Sequence, residues 1–188
     1  MVTIVVEGKT DREFLQDFIS KTFDVAKEKY NFKIFDGKDN IFKLSHKYYE
    51  EIEKELDTID KILIAVDADD PKDKCPIRGY EETEQKLKEH IEDLDFNIPV
   101  DYFIFSDDEQ RGYLESFLLS VLDEEQKACI NTFKDCFAYD LSDKWVYNSF
   151  YKHNDHPFDF SHSNFDELKQ KLQNLFNEGT IDDNTTSN

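Results

Sequence analysis

Positive charge is scarce in this chain: Lys and Arg number 23 against 43 Asp and Glu, for a formal net charge of −20. A dedicated nucleic-acid binder meets phosphate with clustered Lys and Arg, so this balance argues against broad electrostatic binding. It leaves room for an enzyme that reaches a phosphate backbone through bound cations and one local basic strip. Cysteine is also sparse. Cys75, Cys129 and Cys136 are an odd count without metal-ligand spacing, which predicts reduced thiols in a cytoplasmic protein. No apolar run approaches the ~20 residues that span a bilayer, and no signal peptide is expected ahead of the first apolar segment. The expectation is a soluble cytoplasmic chain with no membrane partner and no internal repeat.

What is present is a pair of short apolar runs, each ending on acid. In KILIAVDADD, Ile62 to Val66 run straight into Asp67, Asp69 and Asp70. So short a β-branched and aliphatic run suits a strand buried on both faces of a parallel sheet. Ligands of open α/β sheets bind at the carboxyl ends of such strands. MVTIVVEGKTD opens the chain in the same way, with Val2, Ile4, Val5 and Val6 leading to Glu7. Gly8 allows a turn, and Thr10 with Glu13 has the form of a capping box for a following helix. Glu7, Asp67 and Asp69 are therefore expected at one rim, with Asp11 about a turn away.

The 188 residues, with 17 Phe and 9 Tyr, can enclose one core. Helical spacing of Phe14, Leu15, Phe18, Ile19 and Phe23 predicts a helix over 11–29. A strand follows at 31–36, then a helix over 41–56 with Leu44, Tyr48, Ile52 and Leu56 on one face. The central strand is followed by a proline-containing loop at 71–78, a helix over 79–95 and a fourth strand at 100–105. Helices are expected over 113–122, 124–137 and 143–151. A last one opens at Ser163-x-x-Asp166 and carries Phe165, Leu168, Leu172, Leu175 and Phe176 along its stripe. This alternation predicts an α/β domain with a mostly parallel four-stranded sheet and right-handed crossovers. The division is a core at 1–110, a mostly helical extension at 111–176 packed on it, and a polar disordered tail at 177–188.

Two like charges ~4 Å apart repel by about 4 kcal/mol at an effective dielectric near 20. A cluster of four carboxylates is therefore costly unless some protonate or a cation neutralises them. Carboxylate ligands suit Mg²⁺ or Mn²⁺ rather than zinc. Asp11 has a competing explanation, since an acid in a first helical turn favours the helix dipole. Glu115, among Leu114, Phe117, Leu118 and Leu119, would be an expensive unpaired burial, so it lies at the helix margin or faces the acidic rim. Lys9 reads as solvent-facing. His153, Asp155, His156 and His162 are close in sequence but fit no zinc spacing, and read as a polar loop.

The glutamate after the first strand, in VVEGKTD, and the Asp-x-Asp after a later one, in AVDAD, resemble the Toprim domain of topoisomerases, bacterial primases, recombination proteins and nucleases. The EGxTD form is most similar to small stand-alone Toprim-like proteins related to nucleases of the overcoming-lysogenization-defect (OLD) type. GYLES, with Glu115, is similar to their Gly-x-Leu-Glu element, and Lys144 in DKWVYNSF falls where they carry a lysine opening a short helix. The resemblance implies a Toprim-like, Rossmann-like fold and a metal-dependent nuclease. It implies catalytic Glu7, Asp67, Asp69 and Lys144, and metal ligands among Glu7, Asp11, Asp67, Asp69 and Glu115. The cofactor would be Mg²⁺ or Mn²⁺, and the substrate nucleic acid, DNA ahead of RNA. No tyrosine stands out as a topoisomerase nucleophile, and no primase zinc module is present.

A rival reading is a non-catalytic Toprim module that binds metal, nucleotide or a protein partner, for which the −20 charge argues. A phosphoacceptor receiver domain also gathers acids at strand ends. It needs its acidic pair after strand one and a lone Asp after strand three, the reverse of the order here.

Overall fold

A computed structural model describes residues 1–137, 141–142, 144–146, 149 and 157–177. Four strands, β1 (Val2–Val6), β2 (Tyr30–Ile34), β3 (Lys61–Asp67) and β4 (Val100–Phe105), form one sheet in the order β2-β1-β3-β4. Every pairing is parallel. β1 and β3 are central, and each of their core positions is buried, whereas edge strands β2 and β4 are partly exposed. That is why the central strands read as apolar runs, broken in β1 only by the buried Thr3.

Alternation along the strands divides the core into two layers. Ile4, Val6, Leu63 and Ala65 face one side with Phe103 and Phe105. There they meet Phe14 and Phe18 of α1 (Lys9–Thr22), Phe117 and Leu118 of α5 (Leu114–Ser120), and Leu168 and Leu172 of α7 (Asp166–Phe176). Val5, Ile62, Ile64 and Val66 face the other side, against Tyr49 and Ile52 of α3 (Lys47–Glu55) and Leu87 of α4 (Tyr80–Leu94). The C-terminal helix thus packs on the sheet as expected. The result is a Rossmann-like α/β sandwich with a helical extension. Among the described residues no helix is long and apolar enough to cross a membrane.

Three local expectations are corrected. The helix expected over 11–29 ends at Thr22, where Phe23 turns extended and its N–H donates to the Ile19 carbonyl. The helix expected over 41–56 is two, α2 (Lys38–Ile41) and α3, with a break between them. Asn40 donates back to the carbonyls of Phe35 and Asp36, and His46 Nδ1 accepts from the Tyr48 N–H to start α3 afresh. Leu44 falls in the break and is 45% exposed, and Tyr49 rather than Tyr48 takes the buried position. The expected capping box of Thr10 and Glu13 is replaced by the Asp11 carboxylate, which accepts the Gly8 N–H at 2.7 Å. Of the helix expected over 143–151, Lys144, Trp145, Val146 and Ser149 are helical, and the rest lies outside the described residues, as does the tail from 178.

Candidate metal centre

The strand order reverses between β1 and β3, and the crevice beyond the carboxyl ends at such a point is the natural ligand site of an α/β sheet. Glu7 follows β1, and Asp67 ends β3. The Asp67 N–H donates to Glu7 Oε1 at 2.8 Å. The Asp67 carboxylate in turn accepts the N–H of Leu114, at the start of α5, at 2.8 Å. With Asp11 held by Gly8, three carboxylates each have one oxygen fixed by a main-chain donor. The second oxygen of each is the one that can serve as a ligand.

Glu7, Asp11, Asp67, Glu115 and Lys144 line one cleft of about 800 Å³. Asp11 and Glu115 are 8% and 7% exposed, so the cluster is largely out of water. Tyr113 and Lys134 also line the cleft, and neither is marked by the acidic motifs.

Asp69 behaves differently. An extended strand would send residues 67 and 69 to the same side, but Asp69 adopts a left-handed conformation (φ 63°) and the strand stops. Its backbone forms an antiparallel bridge with Gly112, exchanging hydrogen bonds of 2.7 and 3.1 Å. The Asp69 carboxylate is not among the cleft-lining groups; it pairs with Lys38 Nζ at 2.8 Å. Lys38 is 7% exposed and also donates to Thr83 Oγ1 (2.9 Å) and the carbonyls of Ala68 and Ile77. Lys38 is not marked by the acidic motifs of the sequence. The available signal was its place directly after Gly37, at the end of β2 and hence at the same rim. Gly37 has φ 121°, a conformation favouring glycine, and its N–H donates to the Glu7 carbonyl.

Oxygens of Asp69 and Asp73 and the sulfur of Cys75 lie within 4.8 Å of one another. Their charge is already engaged: Lys38 holds Asp69, and Tyr113 Oη and the Asp70 N–H donate to Asp73. His162 Nδ1 accepts the Asn164 N–H in the turn before α7, a capping role. His153, Asp155 and His156 lie outside the described residues.

A family model described as a protein of unknown function (DUF3226) matches residues 1–157. The chain belongs to the DUF3226 family. No curated protein and no solved structure matches it. The DUF3226 match includes every cleft residue named above and stops before α7.

The electrostatics of this DUF3226 cleft follow from burial. Desolvation raises Glu7 to about 7, with the repulsion of Asp11 and Asp69 adding to it; the Asp67 N–H and the Lys38 ammonium oppose the rise. Asp11 is raised to about 6, again chiefly by desolvation and then by Glu115, while the Gly8 N–H and Lys144 oppose it. Asp67 is pushed well above the usual carboxylate range by burial and by Glu7, Asp11 and Glu115. Without a cation these acids retain protons to unusually high pH. A hard divalent cation would supply the charge they lack. An all-carboxylate donor set with fixed first oxygens suits Mg²⁺ or Mn²⁺.

Proposed function

We propose that this protein is a Mg²⁺- or Mn²⁺-dependent phosphodiesterase acting on nucleic acid, similar in kind to the Toprim-like nucleases of the OLD type. The observation that carries this reading is the convergence of Glu7, Asp11, Asp67 and Glu115 with Lys144 around one cleft at the strand-order reversal. Glu7, Asp67 and Asp11 would hold the cation, with Glu115 completing the acidic wall. A cation so bound polarises a phosphate oxygen and lowers the pKa of bound water. Lys144 is suited to offset charge that builds on the phosphoryl oxygens. Glu7, titrating near neutrality in the cation-free protein, is suited to release its proton as the cation binds. Asp69 is assigned to the Lys38 ion pair rather than to the ligand set.

That ion pair favours a second reading. A fixed ammonium at the Asp-x-Asp leaves less anionic charge for a second cation, as expected of a module that binds one metal, a nucleotide or a protein partner without turnover. Incubating the purified protein with nicked, supercoiled and single-stranded DNA and with RNA, in Mn²⁺ and in chelator, separates the two. Mn²⁺-dependent cleavage that Glu7→Gln abolishes is expected. Absence of cleavage on all substrates, together with saturable Mn²⁺ binding, would select the module.

A further inference from the structure

Outside the acidic cluster, the surface of the described residues carries one concentration of exposed rings. Phe133 (45% exposed), Phe137 (37%) and Trp145 (48%) are three of the five large apolar side chains exposed among the described residues. Phe133 and Trp145 lie nearly parallel, with ring centres 5.8 Å apart and planes 18° apart. Phe137 meets Phe133 edge-on at 5.1 Å. Phe133 lies on helix α6 (Glu124–Asp135), which buries no residue fully, Phe137 lies just beyond its end, and Trp145 lies on the separate segment that includes Lys144. Ile130 of α6 packs against the core, and the stripe continues outward at helical spacing as Phe133 and Phe137.

The two segments that carry the rings also wall the metal cleft. Lys134 follows Phe133, and Lys144 precedes Trp145; both lysines line the cleft. Lys134 borders the neighbouring groove as well, together with Lys127. Arg111, also in that groove, is tied to Asp107 and Glu109, and Lys127 to Glu124. On a chain with a net charge of −20, the rings thus stand where cations meet the acidic site.

We propose that Phe133 and Trp145 form a stacking platform for the bases of single-stranded nucleic acid, feeding the adjoining phosphodiester into the cleft past Lys134 and Lys144. The proposal rests on the phosphodiesterase reading and names its substrate class. Unpaired bases expose a π-face, which a duplex hides within its stack. Stacking tolerates any base and does not depend on net charge, which suits a protein that cannot rely on broad electrostatic attraction. A protein partner fits less well. Rings of about 150–250 Å² each, under half exposed, offer on the order of 300 Å², against roughly 800 Å² per partner in a stable interface.

Trp145 is the only tryptophan of the chain, so its fluorescence reports on the platform directly. In chelator, where no cleavage occurs, a single-stranded oligonucleotide should quench it saturably, and the corresponding duplex much less. Anisotropy of a labelled oligonucleotide should show affinity about tenfold weaker for Trp145→Ala and Phe133→Ala. Trp145→Phe, which keeps a ring, should stay within about threefold of wild type. Both side chains replaced are exposed, and matched melting curves check that each of the three variants folds. Equal oligonucleotide affinity in wild type and both alanine variants would overturn the platform even if Mn²⁺-dependent cleavage is intact. So would ring-dependent self-association in sedimentation that excludes the oligonucleotide. Ring-dependent binding without any cleavage would instead retain the platform and remove the phosphodiesterase reading.

Discussion

The Asp67 N–H donates to the Glu7 carboxylate at 2.8 Å, so one acid of the cleft is held by the backbone of another. The bond bridges the carboxyl ends of β1 and β3, which pair directly with Val6 opposite Ala65. Because the backbone of a buried sheet cannot retreat, the two carboxylates cannot relax apart when no cation is present. Holding these acids together therefore carries a stability cost, which can be measured.

Glu7→Gln keeps an oxygen to accept the Asp67 N–H and removes a buried charge. In chelator it should be more stable than wild type by roughly 1–3 kcal/mol, as is common when active-site repulsion is relieved. Asp67→Asn should behave similarly, since its amide oxygen can still accept the Leu114 N–H. Wild type should gain about 2.7 kcal/mol at a Mn²⁺ concentration 100-fold above its Kd, and both variants should lose most of that gain. Melting curves with and without Mn²⁺ decide it. Variants less stable than wild type in chelator yet equally responsive to Mn²⁺ would mean the acids are structural.

The raised carboxylates set the direction of the pH dependence. Glu7 holds its proton to about 7 against an ordinary 4.5, and Asp11 to about 6 against 3.8. Between these limits the folded chain binds more protons than the unfolded one. Their stabilising contribution is full below about pH 4 and is lost as pH rises through 6 to 7. For Glu7 alone the difference corresponds to roughly 3 kcal/mol. Metal-free wild type should therefore lose stability from pH 5 to pH 8 more steeply than Glu7→Gln. Mn²⁺ affinity should rise over the same interval, because the protons must leave. Parallel stability profiles for the two proteins would refute the assignment.

Lys38 ties four oxygens from the end of β3, the following loop and α4. Lys38→Ala would leave the Asp69 carboxylate without its ammonium and should cost about 3–5 kcal/mol, the usual penalty for halving a buried pair. Adding Asp69→Asn removes the stranded charge and should restore part of the loss. Urea unfolding of both single variants and the double variant gives the coupling directly. Strict additivity would show that Lys38 and Asp69 act independently.

Gly112 tests how α5 is presented to the cleft. Its φ is 91°, and a Cβ there would lie 2.6 Å from Ser116 Oγ. Gly112→Ala should destabilise by roughly 1–3 kcal/mol. It should also weaken Mn²⁺ binding by displacing the Leu114 N–H that fixes Asp67. Adding Ser116→Ala removes the clash but not the backbone strain, so recovery should be partial. Calorimetric titration with Mn²⁺ and denaturant unfolding provide the two readouts; wild-type values in both would remove Gly112 from this role.

The sequence by itself determined the sheet and the acids at its rim. Short, mainly apolar β-branched runs such as Val2–Val6, with Thr3 its one polar residue, and Ile62–Val66 call for burial on both faces, so β1 and β3 are legible, and the residues that follow or end them, Glu7 and Asp67, are legible with them. Helix α7 was read from the spacing of Leu168, Leu172 and Leu175, because a repeat near 3.6 is written in one segment. The tertiary structure alone decided the fate of Asp69, which depends on a left-handed turn pinned by Gly112, 43 positions away. It also decided the burial of Lys38, whose partners Asp69, Ile77 and Thr83 come from distant positions. The ring cluster was hidden for the same reason: Phe133 and Trp145 share no periodicity, and their contact exists only where two segments meet. Local pattern records which faces must leave water; long-range pairing of charges and rings depends on where the chain returns.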